Sequence, residues 1–473
     1  MLVCGYFIEC ALTRVCHPAG FVAQADAGAK DPELIKADIT DKSSIYDMVK
    51  SSRVVVSTVG PFDKYGEHTV AACAEFGVDY VDITGETWWV QDMQKKYADT
   101  AMRNNAAIIN MCGVDSLPSD LAAMLAVRHA HATLGTGISA GTGYFTGMGG
   151  ISGGTIASLG AALENPSKGR TAMDFAVCAT QGMPPVSPPQ SKEVRPVGGG
   201  SADSGEVIST APNDSTTDWI APPPELVPGT ADMPIWPRWD AAAGVYQAPF
   251  VMAGVNTRVV RRSAVLYTRL GSPYHVQGGQ AAPYVYSEYM PIKSFLPALF
   301  MCWAHVFFVV LLAIPPIRWG IFKYLLPSPG QGPSANVLAS GWHRMVHVAT
   351  PADPALVKTD TKVVATFQGG EPGYTATSAM LATCALLLAT NRAQLPVSTL
   401  FGGGGFLTPA SALGMPLLHA LEKRGDFKAT VRTVQGVRDV GPLLDMQRAP
   451  GSNPDVVPAL RVGEPGHAEA HTQ

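Results

Sequence analysis

Between residues 34 and 130, short apolar runs alternate with stretches whose apolar positions recur every three or four residues. That is the pattern of strands separated by amphipathic helices. LIKADIT (34–40) runs into a polar turn at Asp38, Thr40 and Asp41. In SSIYDMVKS, Ser43 or Ser44 can cap a short helix whose apolar face is Ile45, Met48 and Val49. Residues 53–59 read as a buried strand that drives into the corner Gly60-Pro61. Glu67–Phe76 reads as a helix that Gly77 stops. A strand over 78–83 leads to a tight loop, Thr84-Gly85-Glu86, and then Trp89, Met93, Tyr97 and Ala101 form one stripe of a helix. Another strand over 107–111 precedes CGVDSLPSDLAAML, a turn entering a helix with Pro118 in its first turn and Asp120 where the helix dipole favours a carboxylate.

Such alternation predicts an α/β fold with a Rossmann-type parallel sheet and helices on both faces. Ligands in these sheets sit outside the carboxyl ends of the strands. Three turns fall there, 58–65, 84–86 and 113–120, and all three are expected on one rim.

The pattern changes after residue 134. GTGISAGTGYFTGMGG predicts a long strand, with a helix from about Thr155. Residues 182–235, rich in Pro, Gly and Ser, read as a surface insertion. VNTRVVRRSAVLY and PYVYSEYM are strand-like in composition. KVVATF (362–367) reads as a strand, and GGEPGYTATSAMLATCALLLA turns into a helix with Met380, Cys384 and Leu387 or Leu388 on one side. FGGGGFLTPASAL starts another helix, capped by Thr408 with Pro409 first. The tail after about residue 446 is polar.

Residues 295–314 carry no formal charge, and 20 residues is long enough to cross a hydrocarbon core of about 30 Å. Pro315-Pro316 breaks the run, and Arg318, Trp319, Lys323 and Tyr324 have interfacial character. Segment 294–327 therefore has three readings: a transmembrane span, a membrane-inserted hairpin, or a buried or dimer-covered element. The last makes a homodimer one of the expected partners.

Composition agrees with a large core and a charge-poor surface: of 473 residues, 47% are apolar and 15% charged. A net charge of −4 gives no reason to expect nucleic acid. The eight cysteines form no C-x-x-C pair and no Cys/His cluster with zinc spacing, so a reduced compartment and no metal are expected. MLVCGYFIECAL lacks the basic start of a signal peptide and is interrupted by Glu9.

The rim turns offer hydroxyls (Ser57, Thr58, Thr84, Ser116) and acids (Asp82, Glu86, Asp115, Asp120), with His68 on the exposed side of its helix. That set suits a nucleotide-type cofactor better than a metal. The bare Cα of Gly60 lets a flat ring approach the backbone. A proton donor is needed for reductive chemistry, and Tyr65, Glu86 and Asp115 are the candidates. No G-x-S-x-G elbow supports a hydrolase. A dinucleotide fold also needs a glycine-rich first turn for pyrophosphate, and nothing before residue 54 supplies it. GTGISAGTG follows the sheet helices and is no substitute.

STVGPFDKYGEHTVAACAEFGVDYVDITGE, MCGVDSLPSDLAAML, SGGTIAS, NTRVVRRS, LLPSPGQGPS, EPGYTATSAML and FLTPASALG together resemble the saccharopine dehydrogenase-like oxidoreductases, which include the trans-acting enoyl reductases. The likeness spans roughly residues 36–435. It implies a Rossmann domain followed by an α+β domain, binding of NAD or NADP, and an oxidoreductase activity on a lipid-like substrate at a membrane or lipid-droplet surface, as in glycolipid biosynthesis. It places Thr58, Val59, Gly60 and Pro61 beside a nicotinamide, with Gly85, Gly113 and Asp38 also in cofactor contact. The implied organisation is an incomplete Rossmann domain over 1–134, an α+β domain over 135–293, the apolar segment 294–327, the rest of the second domain over 328–445 and a tail over 446–473. The resemblance departs at the start, where MLVCGYFIECAL looks like the middle of the helix after the glycine turn, so the first βα unit is missing. Either the sequence is cut short there, which the intact later blocks favour, or this copy is a non-catalytic membrane protein on a scaffold that has lost its cofactor.

Overall fold

The computed structural model describes residues 2–4, 35–38, 40–114, 116–149, 234–269, 284–324 and 332–436, with positions 440 and 444 besides. The helix expected from Thr155, most of the insertion at 182–235 and the tail after 446 lie outside the described residues.

Leu2–Cys4 (β1) was expected inside a helix; it is a strand. It is apolar with a β-branched centre, and it finds backbone partners along Val54–Ser57 (β2), with Val3 opposite Val56. Between them, Lys42–Lys50 (α1) buries Ile45, Met48 and Val49 as expected. Its cap is Asp41 rather than Ser43 or Ser44: the Asp41 carboxylate accepts the Ser43 N–H at 2.9 Å, while the Ser44 hydroxyl turns back to the Asp38 and Asp41 carbonyls. After β2 come Phe62–Tyr65 (α2), Glu67–Phe76 (α3), Asp79–Asp82 (β3), Thr87–Arg103 (α4), Ala107–Ile109 (β4) and Leu117–Leu134 (α5). Gly77 ends α3 in the left-handed conformation, φ 70°.

The chain continues through Ile138–Met148 (β5), Arg238–Asp240 (β6), Val245–Ala248 (β7), Ala253–Arg269 (α6), Val285–Ile292 (β8), Phe295–Ala313 (α7) and Pro315–Tyr324 (α8). Then follow Trp342–Pro351 (β9), Thr361–Gly370 (β10), Thr377–Asn391 (α9), Gly405–Leu407 (β11), Pro409–Arg424 (α10) and Lys428–Gln435 (β12).

VNTRVVRRSAVLY was read as strand and is α6. Its β-branched composition hides a helical period: Asn256, Val259 and Val260, Ser263 and Ala264, and Tyr267 fall on one side. Two of its arginines reach back to backbone carbonyls of the body. Arg261 donates to the Tyr286 carbonyl and Arg262 to the Phe406 carbonyl, both at 2.6 Å.

The first sheet is all parallel, in the order β1-β2-β3-β4-β11, so the α/β class read from the sequence holds. Its fifth strand, β11, arrives from the far end of the chain and sets Phe406 opposite Ile108. The second sheet runs β12-β10-β9-β5-β8-β7-β6 and is antiparallel except for the β5–β8 pair. Helix α5 packs on β9 and β10 and against α6 and α10. It is buried nearly all round for that reason, and it shows no amphipathic stripe. By length and composition, α7 and the stretch Pro372–Thr399 could each cross a membrane. The latter contains α9, which packs on β2, β3 and α10.

Two buried acids join the parts. Asp79, at the start of β3, holds Arg392 through both oxygens at 2.7 and 3.0 Å, and Arg392 also donates to the Asn105 and Gly403 carbonyls. Asp120, expected to serve its own helix, reaches across to α10 and accepts the Ala410 N–H at 2.8 Å. Thr408 caps α10 with a capping box and Pro409 opens it, both as expected.

Burial raises Asp120 to about 7 and Asp82 to about 6, against the hydrogen bonds that each accepts. Between pH ~4 and ~7 these two acids hold protons in the folded state that the unfolded chain has released, so their own contribution to stability falls as pH rises through that window. Asp120→Asn removes one such proton. Its unfolding free energy should drop less between pH ~4.5 and ~7.5 than the parent's, by ~2–4 kcal/mol in urea titrations. An unchanged pH slope would refute this.

Candidate functional site

The three turns do share one rim, and buried carboxylates bind them side by side. The first leaves β2 through Thr58 and Val59 to the cis Gly60–Pro61 peptide and enters α2. The second joins β3 to α4. Glu86, fully buried at its end, accepts the Phe62 N–H at 3.0 Å on one oxygen and the Asp63 N–H at 2.8 Å on the other. Helix α2 has no cap of its own, so a neighbouring turn supplies the acceptor for its first amides.

Asp82 does the same between the second and third turns. One of its oxygens accepts the Thr84 and Met111 N–H groups at 3.1 and 3.0 Å. The other accepts the Asn110 amide at 2.7 Å and the Tyr80 hydroxyl at 3.0 Å. Met111 is held left-handed at φ 63°, a conformation that costs a non-glycine residue energy, and the Asp82 bond secures it there.

The glycines of the rim differ in kind. A Cβ at Gly66 would lie 2.4 Å from the Trp89 ring, and one at Gly113 would lie 2.9 Å from Thr377 Cγ2. Packing demands those two. A Cβ at Gly60 would meet only the Phe62 ring, at 3.7 Å, and one at Gly85 only Met252 Cε, at 3.9 Å. Neither has a left-handed φ, so neither packing nor backbone requires glycine. Among the described residues, little else approaches either position.

The expected site residues therefore separate. Thr58, Val59, Gly60, Pro61, Tyr65 and Gly85 are half-buried along that open edge. Glu86 belongs to the corner's support. Gly113 is buried under α9 and acts in packing. Asp38 is exposed and bonded within its own loop, to Thr40 and Ser44, and the Thr40 hydrogen bonds hold its carboxyl below the usual range. Asp115 lies outside the described residues, as does the segment 5–34. His68 is exposed, as expected. GTGISAGTG serves packing in β5: Cβ atoms there would collide with Tyr284 and His347 at Gly141 and with Tyr286 at Gly143.

Among the described residues, one apolar side chain meets the rim from the second sheet's side. Met252 faces Gly85, and Phe250 in the same loop stacks on Phe145 of β5 with centroids 4.7 Å apart.

Behind the third turn lies a buried polar network that the sequence reading missed. Ser116 donates to Asn256 Oδ1 at 3.1 Å, and Asn256 Nδ2 donates to Glu288 Oε1 at 2.8 Å. Ser119 donates to the same oxygen at 3.3 Å, and the Tyr286 hydroxyl donates to Glu288 Oε2 at 3.1 Å. Period-two spacing of Tyr284, Tyr286 and Glu288 on one face of β8 was the available signal.

No family model matches the chain. A protein of Mycobacterium tuberculosis provisionally named as a trans-acting enoyl reductase is 31% identical over 408 residues, 84% of this chain and 85% of the relative. The trans-acting enoyl reductases of Mycobacterium bovis and Mycobacterium leprae are 29% and 30% identical over 420 residues, 85% of this chain and 86% of each relative. The solved apo saccharopine dehydrogenase (L-Glu forming) of Saccharomyces cerevisiae aligns at 12% identity and a TM-score of 0.35, over 88% of this chain and 92% of its own.

Glu86→Gln replaces one of the two accepting oxygens with an amide donor, which then faces the Phe62 or the Asp63 N–H. It should destabilise the protein by ~1–3 kcal/mol and speed hydrogen exchange at those two amides. Unchanged exchange there would show that Glu86 does not hold the corner.

Proposed function

The chain belongs to the saccharopine dehydrogenase-like oxidoreductases that include the trans-acting enoyl reductases, and from that membership we propose that it is an NAD(P)-dependent reductase of an enoyl or carbonyl group on a lipid-like substrate. The observation that carries the reading is the open space beside Gly60 and Gly85, at the carboxyl ends of parallel strands, where such sheets take their ligands. In this reading a nicotinamide ring lies there, with Thr58, Val59, Gly60 and Pro61 against one side of it and Gly85 bordering it from the second turn. Such a cofactor, when bound, supplies a hydride.

The chain's own residues would do the rest. Glu86 fixes the corner through the Phe62 and Asp63 amides. Met252 and Phe250 give the opposite wall an apolar surface that favours an acyl chain and excludes water. Tyr65, half-buried at the end of α2, is the hydroxyl we assign to proton delivery; Asp115 stands beside it as a candidate from the sequence. The exposed apolar surface of α7 supports a setting at a membrane or lipid-droplet surface, where an apolar substrate resides.

Titrating the full chain with NADH and with NADPH should quench protein fluorescence or raise the melting temperature with at least one of them. Gly60→Ala should weaken that binding by about tenfold or more, the worth of about 1.4 kcal/mol, at unchanged stability. No response to either nucleotide would favour the alternative, a scaffold without cofactor.

A further inference from the structure

Helix α7 is rooted on the second sheet. Phe295 meets Trp236 and Tyr246 with ring centroids 6.1 and 5.6 Å apart, and Ala298 and Cys302 are buried where α7 packs on β7 and β8. Farther along, four successive residues, Phe307 to Val310, are all exposed, Phe307 to 63%. A helix lying on a protein surface hides part of every turn, so this portion has left the body. It breaks at Ile314, whose backbone is extended, and α8 packs back on it with Leu312 and Ile321 buried.

The sheet decides how such a projection meets lipid. β8, just before α7, and β9, after α8, both pair with β5. A single crossing would put β9 on the far side of the membrane from its own sheet. A second crossing needs about 20 apolar residues, and residues 315–341 carry Arg318, Lys323 and five prolines. The projecting part, residues 307–313, is only ~10 Å long at about 1.5 Å per residue. That is a third of a hydrocarbon core of about 30 Å and matches the ~5–10 Å depth of interfacial helices.

The chemistry fits a lipid headgroup layer. Residues 295–324 contain no Asp or Glu. Lys323 Nζ lies 4.5 Å from the Trp319 ring and 5.4 Å from the Tyr324 ring, both rings exposed. Cations beside exposed Trp and Tyr are what the interface accommodates.

We propose that α7 and α8 form a hairpin that dips into a single leaflet of an anionic phospholipid membrane, with Arg318 and Lys323 at headgroup level. The inference rests on the membrane setting proposed above.

Full-length protein mixed with phosphatidylcholine vesicles, or with vesicles also containing phosphatidylglycerol, tests it by flotation. The protein should float with both and partition about tenfold more strongly onto the anionic ones, as two interfacial cations allow. Phe307→Asp combined with Val310→Asp, both at exposed positions, should reduce flotation by about tenfold or more while leaving the melting temperature unchanged. In Ile314→Cys, a membrane-impermeant maleimide trapped inside the vesicles should leave the new thiol unlabelled. Labelling from inside would mean a span and overturn the hairpin while the membrane setting stands. Equal flotation on both vesicles would overturn the anionic preference. No flotation, with a dimer that shields α7 from protease, would overturn hairpin and membrane setting together and make a second copy the occupant. Cofactor binding, read by nucleotide titration, is independent of all these outcomes.

Discussion

Buried carboxylates that accept backbone amides, several of them from distant segments, hold this molecule together. An acid taken out of water needs donors at once, and here they come from elsewhere in the chain. Glu86 takes the first amides of α2, Asp82 takes those of the second and third rim turns, and Asp120 takes one from α10. Glu371, by contrast, caps its own turn ahead of α9 and accepts three amides from it, at 2.8, 2.8 and 3.1 Å. Each bond sets the position of a turn or helix start relative to a strand. The rim is therefore rigid where a ligand would need it rigid.

Against that frame, the glycines mark which spaces are spoken for. Trp89 fills the room at Gly66, Thr377 that at Gly113, and Tyr286 that at Gly143. Among the described residues, Gly60 and Gly85 face nothing that requires them. Their openness, the apolar wall at Met252 and the family relationship converge on one edge of the first sheet. The polar network through Ser116, Asn256 and Glu288 ties that edge to the second sheet.

The second sheet also explains the apolar helix. With β8 and β9 both bound to β5, the chain that leaves after β8 must return to the same side. An apolar run of membrane-spanning length is thereby confined to a rooted, projecting hairpin. By contrast, the similarly apolar α9 lies in the core, because β2, β3 and α10 cover it.

The sequence by itself determined the local elements of the first sheet. The β-branched runs, the Gly77 stop, the stripe of Trp89, Met93 and Ala101, and the Thr408-Pro409 cap act over a few residues, and all are observed. Motif likeness likewise identified the family. What only the tertiary structure decided depends on partners far away in the chain. Strand propensity misread α6, because packing of Asn256, Val260 and Ser263 overrides β-branched composition. Nothing local announces that Gly405–Leu407 completes the first sheet, since three residues become a strand only beside β4. Nor could spacing show that Glu86 supports a corner, that Asp120 serves α10, or that Gly113 is packing while Gly60 is open. Those outcomes depend on which distant atoms fill the neighbouring space, and only the folded chain brings those atoms there.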